Sequence, residues 1–511
     1  MADHGSGKNE QLGGKIEATQ HHQPALIWTA AVAVAALGNW MLFDCMPGIN
    51  WVLWTTAAVA GLFAFVRQRR SAGAVAFVGG LAMVIAGAAA VTANEVMQVL
   101  IVATVLLLLA IQMLLTACPS PRSVTARFAA SAPFVALRGA VYQTLRLSVS
   151  ASHLIRSARA RAWVRGVAIT LPVLVAFALL LSGADPVFAS WREAASGLVS
   201  SWEFVPRVLF FVVMLGIVLG AYGYASVEAP GPVPATDRAP VRWWGSTERL
   251  MLLGGVAALF WLFLVLQVGY LFGNLPRIAS SGMTFAEHAR RGFGELSIVA
   301  SASAALIVVS ERFGRYDGHE RILRFLTFAV IVAVLLLLGS AFHRVWLYEA
   351  AYGFTTARLY AQVYMGGVAA GLGLLIREVA GRFDTGRLFR RAAGAAVILF
   401  ICLAYWNHEG WIARHNLDRF ASTGKLDVVY LTQDLSPDAI PAIAERLPSL
   451  PEPVRSEIRR GVLERHATRT GAQERAWFEW NLATSRARKA LEASFASPPL
   501  RGTDGSSAFA P

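Results

Sequence analysis

About eleven runs of roughly twenty apolar residues follow one another between Ala25 and Trp406, and a run of that length satisfies its own backbone in lipid as a spanning helix. Water is absent from the bilayer core, so every peptide N–H and C=O there must find a partner within the protein. The chain is therefore expected to be all-α, a polytopic transmembrane helical bundle with a small extramembrane helical region at its C-terminal end. The expected spans are 25–43, 50–66, 72–91, 96–117, 166–184, 206–226, 249–272, 294–311, 325–343, 357–376 and 392–406. Of 511 residues 56% are hydrophobic and only 15% charged, well below the quarter or so typical of soluble domains.

Arginine placement gives the threading. Arg67, Arg69 and Arg70; the eight arginines from Arg122 to Arg165; Arg238 and Arg242; Arg312, Arg315, Arg321 and Arg324; and Arg377 to Arg391 occupy every second connection. Positive side chains beside helix ends stay on the cytoplasmic face, so these loops are expected inside, with the N-terminus. An odd number of spans then puts the C-terminal region outside, and the location implied is the bacterial cytoplasmic (inner) membrane. A formal charge of +14 would suit nucleic acid, but it sits in short loops beside apolar runs, where anionic lipid headgroups are the natural counterpart. The expected partner is the lipid bilayer, and nucleic acid is excluded.

This divides the chain into a polar cytoplasmic tail (1–24), a four-helix membrane segment (25–117), a basic cytoplasmic loop (118–165), a seven-helix core (166–406), an extracytoplasmic helical region (407–496) and a disordered tail (497–511). The basic loop has no acid between Ser120 and Arg165, and its arginines interleave with Phe128, Phe134, Val141 and Leu145, the pattern of an interfacial amphipathic helix broken near Pro133. A loop made basic by topology alone accounts for it equally well. Beyond Trp406, Ser436-Pro437-Asp438 supplies an N-cap, a first-turn proline and a favourable charge for a helix to about Arg446. A second helix is expected from Val454 to His466, and a third carrying Trp477, Trp480, Thr484, Ala487, Leu491 and Phe495 at helical spacing.

Motifs of soluble catalysis are missing. Gly5-Ser6-Gly7-Lys8 lacks the strand, the earlier glycine and the hydroxyl residue of a phosphate loop, and there is no His-Glu-x-x-His or Gly-x-Ser-x-Gly. Cys45, Cys118 and Cys402 have no ligand spacing, so neither a disulfide framework, a metal nor another cofactor is expected. Gly216-x-x-x-Gly220 and Gly367-x-x-x-Gly371 let helices approach closely, within the bundle in preference to a homodimer seam. The span centres carry no charge, which counts against an ion-coupled transporter.

Polar chemistry gathers instead at the outward loops. Asp185, Glu287, His288, Arg290, Arg291, Glu295, His343, Arg344, Glu349, Tyr352 and Arg358 share that face, together with Asn407, His408, Arg414 and Asn416. Acids, histidines and arginines at an apolar boundary suit a salt-bridged cap over the helix ends, or a site for an anionic headgroup with Glu287 or Glu349 as acid–base residue. No catalytic residue is assigned.

The segments Leu181-Ser-Gly-Ala-Asp-Pro-Val-Phe188, Thr284-Phe-Ala-Glu-His-Ala-Arg-Arg-Gly-Phe293, Leu347-Tyr-Glu-Ala-Ala-Tyr-Gly-Phe-Thr355, Ile412-Ala-Arg-His-Asn-Leu-Asp-Arg-Phe420 and Gly424-Lys-Leu-Asp427 resemble a bacterial membrane family. That family is catalogued as domain of unknown function four-one-seven-three, near the four-one-five-three group. The resemblance runs from about Gly166 to Leu447, leaves the first four helices outside, and implies a multi-pass inner-membrane protein without an assigned activity. The function expected is a cell-envelope scaffold or sensor with a polar extracytoplasmic rim. The alternatives are a transporter or lipid flippase, which needs a polar cavity reaching mid-membrane, and an enzyme acting on an anionic lipid-linked substrate.

Overall fold

The computed structural model describes residues 6–66, 72–117, 124–152, 170, 204–227, 242–272, 293–315, 318–469 and 476–495. Among these the regular structure is helical, and the one extended contact is an isolated parallel bridge between Trp244 and Gly314. In chain order the helices are α1 (Ser6–Leu42), α2 (Ile49–Ala64), α3 (Ala72–Ala89), α4 (Glu95–Leu115), α5 (Ala126–Ser152), α6 (Phe204–Ser226), α7 (Ser246–Phe272), α8 (Phe293–Phe313), α9 (Glu320–Tyr352), α10 (Thr356–Ala380) and α11 (Thr385–Tyr405). The C-terminal region adds α12 (His408–Thr423), α13 (Ile440–Arg446), α14 (Val454–Arg469) and α15 (Leu482–Ser494). Apart from residue 170, the expected span 166–184 lies outside the described residues, as does the tail 497–511; the other ten spans each fall on a helix.

Nine of the described helices are long and apolar enough to cross a membrane. Of the ten helices on which the expected spans fall, only α2 is not among them: its 16 residues rise about 24 Å against a hydrocarbon core near 30 Å. At the other extreme, α9 has 33 residues and rises about 50 Å, so it outruns the lipid and carries its end residues as helix where the sequence suggested loop from Arg344 to Phe354. Gly353, at φ 85°, stops it. Large apolar side chains such as Phe77, Met251 and Phe325 are more than two-thirds exposed in the isolated chain, as a lipid-facing surface requires.

Two compact units divide the chain. The first holds residues 1–90, 99–236 and 476–480. Its core joins Ile27, Trp54, Leu62, Leu114, Phe128, Leu219 and Tyr222. Here α5 runs unbroken through Pro133, correcting the expected break. Phe128, Ala132, Ala136 and Ala140 recur every fourth residue and are all buried in this core, while Pro133 and Arg127, Arg138 and Arg146 are exposed. Packing along that stripe offsets the roughly 3 kcal/mol an interior proline costs a helix. α6 lies against α5 so closely that a Cβ at Gly220 would overlap the Ala140 carbonyl, and the Thr144 hydroxyl donates to the Gly216 carbonyl at 2.6 Å. The first glycine pair thus serves contacts within the chain.

Residues 476–480 pack into this unit as well. Trp477–Glu479 form a single 3-10 turn, Trp40 meets Phe478 edge-on at 5.1 Å, and Ile49 donates its N–H to the Trp480 carbonyl at 3.1 Å. A side chain at Gly48 would strike the backbone of Glu479 and Trp480. The third C-terminal helix therefore starts later than its spacing suggested: Asn481 accepts from the N–H groups of Ala483 and Thr484 and caps α15, and the two tryptophans precede it.

The second unit holds residues 91–98, 237–475 and 481–511. Its membrane core is built on Ile307, Val330, Val334, Leu337, Leu338, Met365 and Leu372, with Thr327, Ser303 and Gln267 also buried in this unit's helices. A separate core in the C-terminal region gathers Ile412, Leu417, Leu431, Ile440, Ile443, Ile458, Val462 and Phe495.

The glycine geometry sets a paired test. Gly220→Ala should lower the apparent Tm of the purified protein, at a cost of about 1–3 kcal/mol for forcing α5 and α6 apart, whereas Gly216→Ala, with open space at its Cβ position, should leave it near wild type. Equal shifts for the two would contradict this packing.

Candidate functional site

The polar residues expected at one boundary are only partly gathered. Asp185, Glu287, His288, Arg290 and Arg291 lie outside the described residues. Glu295 is exposed in the first turn of α8. His343, Arg344, Glu349 and Tyr352 all belong to α9, where a six-residue separation sets His343 and Glu349 about 120° apart around the helix. His343 is exposed and stacks on Trp346, while Glu349 is buried. What does come together is the corner between α9 and α10. Gln362 donates to Glu349 Oε2 at 2.6 Å, Tyr348 pairs with Tyr352, and the Arg358 guanidinium lies 4.3 Å over the Tyr348 ring while donating to the Gly353 carbonyl.

That corner is clamped by α12. Asn416 accepts the Phe354 N–H at 2.7 Å and returns a bond to the Phe354 carbonyl at 2.8 Å. Arg419 donates to the carbonyls of Ala350 and Ala351, the unpaired acceptors at the end of α9, and to that of Lys425. A Cβ on Gly353 would sit 2.7 Å from Asn416 Oδ1, so glycine is required there for close approach as well as for its positive φ. Thr355 caps α10 through the Arg358 N–H, and the Tyr430 hydroxyl accepts from the Thr356 N–H at 2.8 Å. Two of the segments that carried the family resemblance, 347–355 and 412–420, thus hold each other.

A second cluster, which the sequence reading passed over, centres on two buried acids, Glu409 and Asp438. Asn407 caps α12 by accepting the Gly410 N–H at 2.7 Å, which fixes Glu409 in the first turn. Ser436 starts the 3-10 turn Pro437–Ala439 and so fixes Asp438. Asn94 Nδ2 donates to Glu409 Oε1 at 2.6 Å, and the Ser436 N–H donates to Oε2 at 2.8 Å. Asp438 Oδ2 accepts from the Ala93 N–H at 2.7 Å, the Thr92 hydroxyl at 3.3 Å and the Ser436 hydroxyl at 2.9 Å.

The Ser436 hydroxyl also lies against Glu409 Oε2. It has one proton and can serve only one carboxylate, so the remaining contact needs a proton on the other acid. The consistent arrangement has Glu409 protonated and donating to Ser436, which donates to Asp438. Burial pushes both carboxyl groups above their ordinary range, opposed at Glu409 chiefly by the Ser436 hydroxyl and at Asp438 chiefly by the Ala93 N–H. Beside them, His408 Nδ1 donates to the Trp406 carbonyl at 3.2 Å, and its Nε2 lies 2.9 Å from the Tyr360 hydroxyl. A cavity of about 60 Å³ bounded by Thr92, Asn407, Asp438 and Arg486 adjoins the pair, enough for a water molecule.

The network ties residues 92–94 to the C-terminal region across separations of 315 and 345 residues. Sequence offered one hint of it, the polar triplet Asn407-His408-Glu409 directly after an apolar span. Among the described residues no three His, Cys, Asp or Glu side chains assemble into a metal-binding group. The arrangement can hold and release a proton while joining chain segments.

An all-helical, multi-pass membrane protein with a clamped extramembrane end is the class this architecture defines. Residues 78–446 match the family described as Domain of unknown function (DUF4153), and the chain belongs to that family. This is the four-one-five-three group, placed above beside four-one-seven-three, and the match begins within α3, earlier than Gly166, so that α4 and Asn94 fall inside it. No curated protein and no solved structure matches the chain.

The clamp gives a second test. Asn416→Ala strands the Phe354 N–H and C=O and should cost about 1–3 kcal/mol, seen as a lowered apparent Tm. Asp418→Ala, which removes an exposed ion pair with Arg446, should cost under about 1 kcal/mol. A larger loss at Asp418 than at Asn416 would overturn the assignment.

Proposed function

We propose that the protein is a scaffold or sensor in the bacterial inner membrane, with its N-terminus in the cytoplasm and its C-terminal helical region outside. The observation that carries this reading is the pair of buried carboxylic acids joined by one serine hydroxyl. Among the described residues, Asn94, Glu409, Asn416, Arg419, Ser436 and Asp438 bond to one another or to backbone groups at helix ends, as in a load-transmitting joint, and the joint contains a titratable proton. Apolar packing around Val334 and Leu338, with no charged side chain in that cluster, supports a scaffold over an ion-coupled transporter. On this reading Glu349, Tyr352 and Arg358 brace the α9–α10 corner.

The sensing element has a definite sign. A carboxyl whose folded-state pKa is raised keeps its proton longer in the native protein than in the unfolded chain. Its contribution to stability is present in full below the unfolded value near 4 and is lost as the pH rises through the raised one. The joint is therefore tight in acid and loosens towards alkaline pH.

Asp438→Asn should flatten that dependence. An amide oxygen can still accept the two shorter bonds made to Oδ2, from the Ala93 N–H and the Ser436 hydroxyl, while the charge that opposes ionisation of Glu409 is removed. Melting followed by tryptophan fluorescence from pH 5 to pH 9 should show wild type losing apparent Tm at the alkaline end and Asp438→Asn losing much less. Parallel curves would refute the proton-linked joint. Orientation is tested separately: in a variant lacking the native cysteines, Glu445→Cys, at an exposed position on α13, should react with a membrane-impermeant maleimide added to intact spheroplasts. Labelling only after lysis would reverse the topology.

A further inference from the structure

The opposite end of the second unit holds a cavity of about 340 Å³ where α7, α8, α9 and α10 begin or end, and its charged lining is Arg242, Arg249, Arg324, Arg382, Glu311 and Glu320. Arg249 is 1% exposed. Its guanidinium donates to Glu311 Oε1 at 2.8 Å, to the Ser310 hydroxyl at 3.1 Å and to the Arg315 carbonyl at 3.3 Å. The surrounding backbone is shaped for it. Trp244 and Arg315 exchange backbone bonds with the opposite segment, Trp244 N–H to Phe313 O at 3.2 Å and Arg315 N–H to Trp244 O at 2.7 Å, and any Cβ at Gly314 would run into the Arg249 guanidinium.

With Arg249 paired to Glu311, the lining also holds Arg324 and Arg382 against Glu320, an excess of one positive charge. Among the described residues the side chains of Arg324 and Arg382 make no hydrogen bond or ion pair, so their planar donor forks are available for an oxyanion. Trp243 stacks on Trp244 and is 59% exposed, the kind of aromatic anchor found at headgroup depth. We propose that this cavity binds a phosphate-bearing anion, with Arg324 and Arg382 as its principal ligands and the buried Arg249–Glu311 pair as its rigid wall. Guanidinium groups meet phosphate oxygens in bidentate pairs, and the wall needs no rearrangement to receive them.

The shared chemistry could come from an anionic lipid headgroup or from a soluble phosphate, and the test separates the two. The detergent-solubilised full chain is titrated with phosphatidylglycerol, with phosphatidylcholine and with inorganic phosphate at constant ionic strength, and the apparent Tm is read at each concentration. Stabilisation by phosphatidylglycerol but not phosphatidylcholine or phosphate identifies a headgroup site; stabilisation by phosphate alone identifies a soluble ligand. Either supports the proposal if Arg324→Gln/Arg382→Gln raises the half-saturating concentration by about tenfold or more. The charge-matched Arg321→Gln/Arg377→Gln protein, altered at exposed positions outside the cavity lining, should titrate like wild type. The proposal is overturned if neither additive stabilises the wild-type chain, or if both double variants lose the response equally, which would mean diffuse charge attraction only. The ligand-free Tm of each variant reports folding independently of binding.

Discussion

A helix in lipid satisfies its middle by itself and leaves its ends in debt. The first N–H groups and last carbonyls have no partner within the helix, and at a membrane boundary they must be met by side chains, by water or by another segment. Much of the specific chemistry in this chain is an answer to that demand. Asn94, Thr355, Asp384, Asn407 and Asn481 each accept backbone N–H groups at a helix start, and Arg419 covers the carbonyls at the end of α9. Asn416 then locks the turn that follows.

The same demand explains why acids are buried at all. Glu409 and Asp438 are sequestered where backbone donors need acceptors, namely Ser436, Ala93 and the side chain of Asn94. Two carboxylates so close cannot both ionise cheaply in a dry setting, and the shared Ser436 hydroxyl leaves room for one further proton. A cap built from acids thereby becomes a cap with a protonation state. At the other end of the second unit the logic is inverted. Arg249 is neutralised and fixed, and the arginines around it are left facing a cavity.

The spans were legible because a twenty-residue apolar run in lipid has one backbone solution, and the Ser436 cap was legible because serine, proline and aspartate in that order have a local meaning. Helix lengths were less so. Hydropathy marks where α9 meets lipid, but its polar last turns from Arg344 to Tyr352 continue as helix until Gly353, which no apolar pattern reports. Pro133 misled because its cost is local while the compensation comes from another helix, and Trp477 and Trp480 misled because a helical spacing of three or four residues can be crossed by a 3-10 turn and a cap. The Glu409–Asp438 pair was invisible for a plainer reason. Its partners in residues 92–94 are remote in sequence, and a single chain does not announce which loops meet. Of the polar residues singled out at that face, Glu349, Tyr352 and Arg358 meet at one corner, whereas His343 is turned away by the pitch of α9.

The claim on which the rest turns is that residues 92–94 and 436–438 form one proton-dependent joint. Hydrogen exchange by mass spectrometry, on the protein in nanodiscs from pH 5 to pH 9 and corrected for intrinsic rates, measures it directly through the Ala93 and Ser436 amides. Both segments should be protected together at the acid end and should lose protection together as the pH rises. Independent exchange of the two segments, or protection that does not change with pH, would contradict the account.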